Sequence, residues 1–308
     1  MQGKSEADCF GHNGSLFAMG RSAVWQRGAA RAGARRLDSP ILAPMIPLSD
    51  DNPTLRRPVM TWALLAAITG VWLVVQGAGL QELQLAASVC NYGLVPGELT
   101  RQAQLGFALP IGQGIACVVD NEPINRLTPL TSMFLHGSWG HLLGNGLFLW
   151  VFGNNIEDSM GAVRFLVFYV VCGLVAVAAH VFVDPASPVP TVGASGAISG
   201  VLGAYLVLYP KARVNMLFFF LIIIRVIPLP AWVVLIWWFA IQVLQGLPQL
   251  SPLRPEVSGG VAVWAHVGGF VAGVALVKLF ENRALVAERK AVHDRLHPDH
   301  PYRVAPWR

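Results

Sequence analysis

Charged residues are scarce in this chain. Asp, Glu, Lys and Arg make up only 13% of its 308 residues, whereas 54% are hydrophobic. A soluble globular domain usually contains about 25% charged residues, so this composition, with a mean hydropathy of +0.53, is typical of a polytopic membrane protein. The net charge is +5, but no basic stretch is interleaved with stacking aromatics, so we expect no nucleic-acid partner.

Motifs of several other protein classes are missing. The four cysteines show no CxxC spacing, which argues against a metal or thioredoxin-like site. HExxH does not occur, so a zinc protease of that class is disfavoured, and we expect neither a metal nor a cofactor. A soluble α/β hydrolase would need GxSxG, but the GASGA segment has Ala197 in place of the last glycine. No cleavable signal is recognised near Met1, so we expect the first apolar run to remain in the mature protein.

Apolar runs predict an all-α membrane bundle of six transmembrane helices, because a helix needs about 20 apolar residues to cross the hydrocarbon core. The predicted spans are 59–80, 139–152, 163–183, 193–209, 231–247 and 261–280. They lie in a domain at 58–282. Residues 1–57 are predicted to be a disordered basic cytoplasmic arm, or a segment on anionic lipid, with Met45 as an alternative start. Residues 283–308 form a charged cytoplasmic tail.

Two further apolar segments do not fit a span. Residues 106–119 are too short to cross and contain Pro110, which favours a re-entrant or interfacial piece. Residues 216–227 are interrupted by Arg225 and followed by Pro228, so we expect them at the cytoplasmic interface. Each of these segments is therefore left out of the predicted span count.

Basic residues predict the orientation of the chain. They are concentrated in the arm, the 211–213 turn and the tail, and the positive-inside rule then places both termini in the cytoplasm. The long loop at 81–127 would lie on the opposite side. It contains Cys90 and Cys117, which could pair in an oxidising compartment or remain free thiols.

A serine and a histidine lie at matched depth on the fourth and sixth spans. Ser195 is 14 residues from Tyr209, and His266 is 14 residues from Phe280. At about 1.5 Å per residue, both lie about 21 Å from the cytoplasmic ends of their helices. An ionisable residue within a span is costly and usually functional. A lone histidine could be a hydrogen-bonded structural residue or a proton relay, but together the two residues predict a Ser–His pair.

Small residues on the same two spans would allow their axes to approach closely. In the fourth span these residues are Ser195, Gly196, Ser199, Gly200 and Gly203. In the sixth span, His266, Gly269 and Gly273 follow the i, i+3, i+7 pattern of one helical stripe. Helix packing through glycine alone is the simpler alternative for this pattern, without any catalytic role.

The second span adds a further polar pair. His141 and Asn145 are four residues apart and therefore share one helix face. Both side chains could donate hydrogen bonds to an oxyanion that develops near Ser195, as could the backbone N–H of Ser195. Alternatively, they bridge helices structurally.

The segments GASGA, AHVGGFVAG and RLTPLTSMFLHGSWGHLLGN resemble the rhomboid intramembrane serine proteases, over about residues 45–282. The resemblance implies that Ser195 is the nucleophile and His266 its general base, in a dyad without an acidic third member. It also implies that His141 and Asn145 help to form the oxyanion hole.

The same resemblance implies supporting roles around the site. Arg126 is expected to stabilise the large outer loop, and His136 is expected to be structural, as are Gly193 and the small residues of the two facing helices. Two positions depart from the family pattern. Asn125 replaces the tryptophan that usually precedes the loop arginine, and Ser199 replaces an aromatic residue that often braces the catalytic imidazole. The second departure leaves open how His266 is held.

The resemblance further implies a multi-pass protein of the bacterial inner (plasma) membrane, which contacts the lipid bilayer and cleaves transmembrane protein substrates near their outer ends. Small and helix-breaking residues would be preferred around the cleaved bond. An inactive rhomboid relative that binds membrane clients is the alternative, although such relatives usually lack the serine or the histidine. A permeation pathway would predict internal repeats, and none is found.

Overall fold

The fold is mostly helical. The computed structural model describes residues 46–112, 114–220, 223–250 and 262–296. The α-helices are, in chain order, α1 (Val59–Val74), α2 (Glu82–Tyr92), α3 (Pro96–Thr100), α4 (Thr128–Thr131), α5 (Trp139–Phe148), α6 (Asn154–Met160), α7 (Ala162–Val183), α8 (Ser195–Leu208), α9 (Ala231–Gly246), α10 (Val263–Phe280) and α11 (Arg283–Leu296). The predicted arm at 1–45 and the last part of the tail, at 297–308, lie outside the described residues.

Several of these helices are suited to a membrane. Among the described helices, α7, α10 and α9 with the turn that follows it (Ala231–Leu250) are long and apolar enough to cross a bilayer. Helices α1 and α8 are apolar but have only 16 and 14 residues. A π-helical segment, Leu149–Gly153, joins α5 to α6 without a break. The apolar helices therefore lie where spans are predicted, while the count of six spans stays a prediction.

Two small antiparallel sheets correct the predicted all-α class. One has the strand order β1 (Ile46–Asp50), β4 (Arg213–Phe220), β5 (Ile223–Pro230), and the other pairs β2 (Ala108–Gly112) with β3 (Ile115–Val118). The β2–β3 hairpin occupies the segment predicted to be re-entrant or interfacial, and β4–β5 occupies the second apolar segment. Both segments are rich in β-branched or aromatic residues, which favour a pleated, half-buried surface.

Strand β1 also corrects the predicted disordered arm, because residues 46–57 are part of the fold. Ile46 pairs with Leu217 of β4, and Asp50 accepts hydrogen bonds from the Tyr205 hydroxyl and from Asn155 Nδ2. Polar composition predicts a solvated segment here, whereas Asp50 accepts partly buried hydrogen bonds from distant elements.

The start of the predicted tail is likewise folded, as α11. Its Arg289 is only 2% exposed, donates to Asn52 Oδ1 (2.8 Å) and the Tyr209 hydroxyl (2.7 Å), and forms an ion pair with Asp158 (3.5 Å). A buried charge is tolerated only when it is paired and hydrogen-bonded, as here. Helix α11 therefore packs against the end of the bundle near Tyr209, which follows the C-terminal end of α8, whereas Ser195 lies at the N-terminal end of that helix.

Cys90 and Cys117 form a disulfide between α2 and β3. The sequence left open whether these two cysteines pair or remain free thiols, and in the structure they pair. The disulfide closes a loop between residues 27 positions apart, for which loop-closure entropy gives about 3.5 kcal/mol of stabilisation. It also fixes the β2–β3 hairpin to the remainder of the long loop.

Candidate active site

A cavity of about 610 Å³ opens among α5, α7, α8 and α10. Its wall contains the polar residues His141, Asn145, His180, Ser195 and His266, and also Gly193, Gly196 and Ser199. Four of the predicted site residues are not part of this wall. Gly269 and Gly273 lie in the contact between α8 and α10, and His136 is hydrogen-bonded to Asn145. Arg126 lies outside the cavity. Within the described ranges, no cluster of His, Cys, Asp or Glu is arranged to hold a metal ion.

Ser195 and His266 are in hydrogen-bond contact. Ser195 is the first residue of α8, and His266 lies in the first turn of α10. Ser195 Oγ is 2.7 Å from His266 Nε2, and the imidazole is 8% exposed. The two residues that were predicted to share one depth are thus brought together at the N-terminal ends of two adjacent helices.

The contact depends on glycine in both helices. A Cβ atom on Gly269 would overlap the carbonyl oxygen of Gly196, and one on Gly273 would overlap that of Gly200. A side chain at Gly203 would likewise meet the backbone of α10. The backbones of α8 and α10 therefore touch directly, with the small-residue stripe of α10 below His266 as predicted.

Gly193 brings His141 close to Ser195. Its φ is +134°, a conformation that residues with a side chain rarely adopt, and its N–H donates to the Ser132 carbonyl (2.9 Å). A Cβ at this position would lie 2.7 Å from the His141 ring and 3.5 Å from Ser195 Oγ. The absence of a side chain at Gly193 thus lets the His141 imidazole reach the wall of the cavity beside the serine.

Asn145 is oriented by His136. Asn145 Nδ2 donates to His136 Nε2 at 3.0 Å, and both residues are buried. Burial, together with the neighbouring His141, lowers the pKa of His136 to about 4, so the ring is neutral at pH 7 and can accept this bond. Gln76, which follows α1, holds the backbone of His136 through bonds of 2.7 and 2.8 Å. Among the residues that the structure describes, the second N–H of the Asn145 amide has no hydrogen-bond partner.

The long loop at 81–127 is anchored through Asn125 more than through Arg126. The Asn125 side chain is buried and donates to Asp120 Oδ1 at 2.9 Å, while the neighbouring Glu98 accepts from the Asp120 N–H at 3.2 Å. Arg126 is exposed, and among the described residues no hydrogen bond or ion pair of its guanidinium is found. The residue that departs from the family pattern is therefore the one that is built into the loop.

Two residues of α9 that the sequence interpretation missed contact His266. Gln242 Oε1 lies 2.8 Å from His266 Nδ1, and the Trp238 ring lies 5.8 Å from the imidazole, measured between centroids. Ser199, where the family often has an aromatic residue, donates its hydroxyl to the Ser195 carbonyl at 2.6 Å. The available signal was the position of Gln242, one of two glutamines in a predicted span that is mostly apolar.

We expect Gly269→Ala to destabilise the protein, because the new methyl group must push α10 away from the Gly196 carbonyl. The free energy of unfolding should fall by about 1–3 kcal/mol, as for other overpacked sites. Thermal unfolding in detergent micelles measures this change. Gly70→Ala on α1 is the matched control, since its methyl group would meet nothing within 4 Å. Equal stability of the two variants would contradict the direct backbone contact.

Curated proteins similar to this chain are rhomboid proteins. The chain is 45% identical over 78 residues to Rhomboid protease GluP of Bacillus subtilis, which is 25% of this chain and 15% of that protein. It is 30% identical over 178 residues to Rhomboid protein 1, mitochondrial, of Saccharomyces cerevisiae, at 54% and 45% coverage. It is 28% identical over 183 residues to RHOMBOID-like protein 12, mitochondrial, of Arabidopsis thaliana, at 54% and 50% coverage. The chain thus spans half or less of the length of these relatives.

The family model for the rhomboid domain matches residues 125–283, which are just over half of the chain. The matched region contains α5, α7, α8 and α10, which form the cavity, and it also contains α9. This match agrees with the apolar helices that are long enough to cross a membrane. The chain belongs to the rhomboid family.

Proposed function

We propose that this protein is an intramembrane serine endopeptidase that cleaves transmembrane segments of membrane-protein substrates with a dyad of Ser195 and His266. The observation that carries the proposal is the 2.7 Å contact between Ser195 Oγ and His266 Nε2 in a cavity among apolar helices. Membership of the rhomboid family supports it, as does the similarity to a Bacillus subtilis protein named as a rhomboid protease.

The proposed reaction begins with proton transfer. His266 Nε2 takes the proton of the Ser195 hydroxyl while Oγ attacks the carbonyl carbon of the substrate peptide bond. The tetrahedral intermediate collapses to an acyl-enzyme, and the imidazolium gives its proton to the leaving amine. Water, activated by His266 in the same way, then hydrolyses the ester and restores Ser195.

The developing oxyanion would be stabilised by donors around Ser195. The backbone N–H of Ser195 lies at the start of α8, where N–H groups have no partner within the helix and the helix dipole favours negative charge. His141 and Asn145 line the same cavity, and the second N–H of the Asn145 amide would be the donor there. Donors fixed in advance in this way stabilise the transition state without reorganisation.

Water must reach a site that lipid surrounds, so the cavity would open toward the outer face of the membrane. The disulfide between Cys90 and Cys117 supports a loop that lies in an oxidising compartment, on the side opposite the cytoplasm. Both termini would then lie in the cytoplasm, and we place the chain in a bacterial inner (plasma) membrane as part of the same proposal. The small residues predicted around the cleaved bond would help a substrate helix to unwind into the cavity.

The alternative function, binding of membrane clients without cleavage, would leave the polar geometry around Ser195 without a purpose. An inactive binding protein does not need a serine hydroxyl within hydrogen-bond distance of a buried imidazole. The presence of both residues, in contact, therefore favours the protease.

We expect Ser195→Ala and His266→Ala each to reduce cleavage at least about 10⁴-fold, because nucleophile and base act as one unit. The measurement is cleavage in membranes of a single-span reporter with small, helix-destabilising residues near its outer end. Ser49→Ala on β1, a serine outside the cavity, serves as the matched control and should cleave normally. Cleavage that survives Ser195→Ala at equal expression would sink the protease assignment.

His141→Ala and Asn145→Ala should each lower kcat about 10- to 10³-fold while KM changes little, since an oxyanion donor acts mainly in the transition state. Rates are measured below the unfolding temperature of both variants, because Asn145→Ala also leaves the buried His136 Nε2 without its donor. If kcat stays at the wild-type value in both variants, the pair only bridges helices.

A further inference from the structure

We propose that Gln242 is a positioning residue that fixes the orientation and tautomer of the His266 imidazole, in the place where many serine hydrolases use a carboxylate. This inference rests on the proposed function, because it concerns how His266 is prepared to act as a general base. Gln242 belongs to α9, which neither the sequence motifs nor the proposed dyad includes.

The contact between Gln242 and His266 assigns the proton of the ring. Gln242 Oε1 lies 2.8 Å from His266 Nδ1, and the two side chains are 9% and 8% exposed. An amide oxygen can only accept, so Nδ1 carries the hydrogen and donates it. A neutral imidazole then has its lone pair on Nε2, the nitrogen that is 2.7 Å from Ser195 Oγ. This is the tautomer that can remove the serine proton.

The surroundings of Gln242 hold the imidazole from a second direction. Trp238 precedes Gln242 by one helical turn, and its ring lies against that of His266 with an interplanar angle of 40°. Helix α9 is itself packed closely on α10, since a Cβ on Gly246 would lie 3.0 Å from the Trp264 ring. One face of α9 thus provides both a hydrogen-bond acceptor and an aromatic surface for the catalytic ring.

A neutral acceptor suits this position. A carboxylate buried among apolar helices would carry a large desolvation cost, whereas an amide oxygen accepts one hydrogen bond without a net charge. Ser199 is small, and its hydroxyl donates to the Ser195 carbonyl (2.6 Å). It therefore leaves space beside the His266 ring for side chains of α9. The bracing that the family often takes from an aromatic residue of the serine helix is supplied here by α9.

Three variants separate positioning from packing. Gln242→Met keeps the length of the side chain and removes the acceptor, while Gln242→Glu keeps an acceptor oxygen. Gln245→Met makes the same change at an exposed residue one turn further along α9, as the matched control. Thermal unfolding in detergent first establishes how much of each protein is folded. The kcat and KM values are then compared at equal concentrations of folded protein.

We expect Gln242→Met to lower kcat by about 10²- to 10⁴-fold with KM unchanged, because a wrong tautomer leaves substrate binding intact but disables the base. Gln242→Glu should recover at least a tenth of the wild-type kcat, and Gln245→Met should equal the wild type. A kcat of Gln242→Met within threefold of wild type, or equal losses in Gln242→Met and Gln242→Glu, would overturn the proposal.

A second readout does not require turnover. The ¹⁵N NMR spectrum of the labelled imidazoles, with His266 assigned by comparison with His266→Ala, should show a hydrogen on Nδ1 in the wild type and a mixture of tautomers in Gln242→Met. A wild-type ring protonated at Nε2, or an unchanged spectrum in Gln242→Met, refutes the role of Gln242. If the wild type neither cleaves substrate nor shows a reactive Ser195, the protease assignment fails, while this spectrum still tests the contact.

Discussion

The direct contact between the backbones of α8 and α10 is the constraint on which the site depends. In lipid, helices associate through van der Waals packing and hydrogen bonds, since the surrounding tails are as apolar as the helices. Glycine at 269 and 273 lets α10 lie on the carbonyl groups of Gly196 and Gly200. At this separation the short side chain of Ser195 reaches the His266 imidazole, so a packing feature common in membrane proteins also produces the contact between these two residues.

Two polar residues of the cavity, Asn145 and His266, are oriented by side chains from other parts of the chain. Gln76 at the end of α1 fixes the backbone of His136, which in turn orients Asn145 on α5. Gln242 on α9 contacts His266 on α10. Unpaired polar groups are expensive in an apolar environment, and completed pairs are correspondingly rigid. The cost of placing polar groups in a membrane helix bundle is therefore also what orients them.

The sequence was sufficient for features that follow from local composition and helical period. The apolar helices, the matched depth of Ser195 and His266 and the glycine stripe all belong to this class. The sequence was insufficient for contacts between residues that lie far apart in the chain. Strand β1 pairs with β4 more than 160 residues later, and Arg289 reaches Asn52 across 237 residues, so both segments looked like solvated ends. Gln242 was missed for a related reason, since the rotation of α9 about its axis is set by packing.

The most direct test of the account is covalent labelling of the protein in its native membrane with a fluorophosphonate, followed by peptide mass spectrometry. A serine activated by a neighbouring imidazole reacts with this probe, whereas an ordinary hydroxyl does not. The account predicts one phosphonylated residue, Ser195, in the wild type, and no modification in His266→Ala. Modification at another serine, or equal labelling of Ser195 in wild type and His266→Ala, would contradict the proposed dyad.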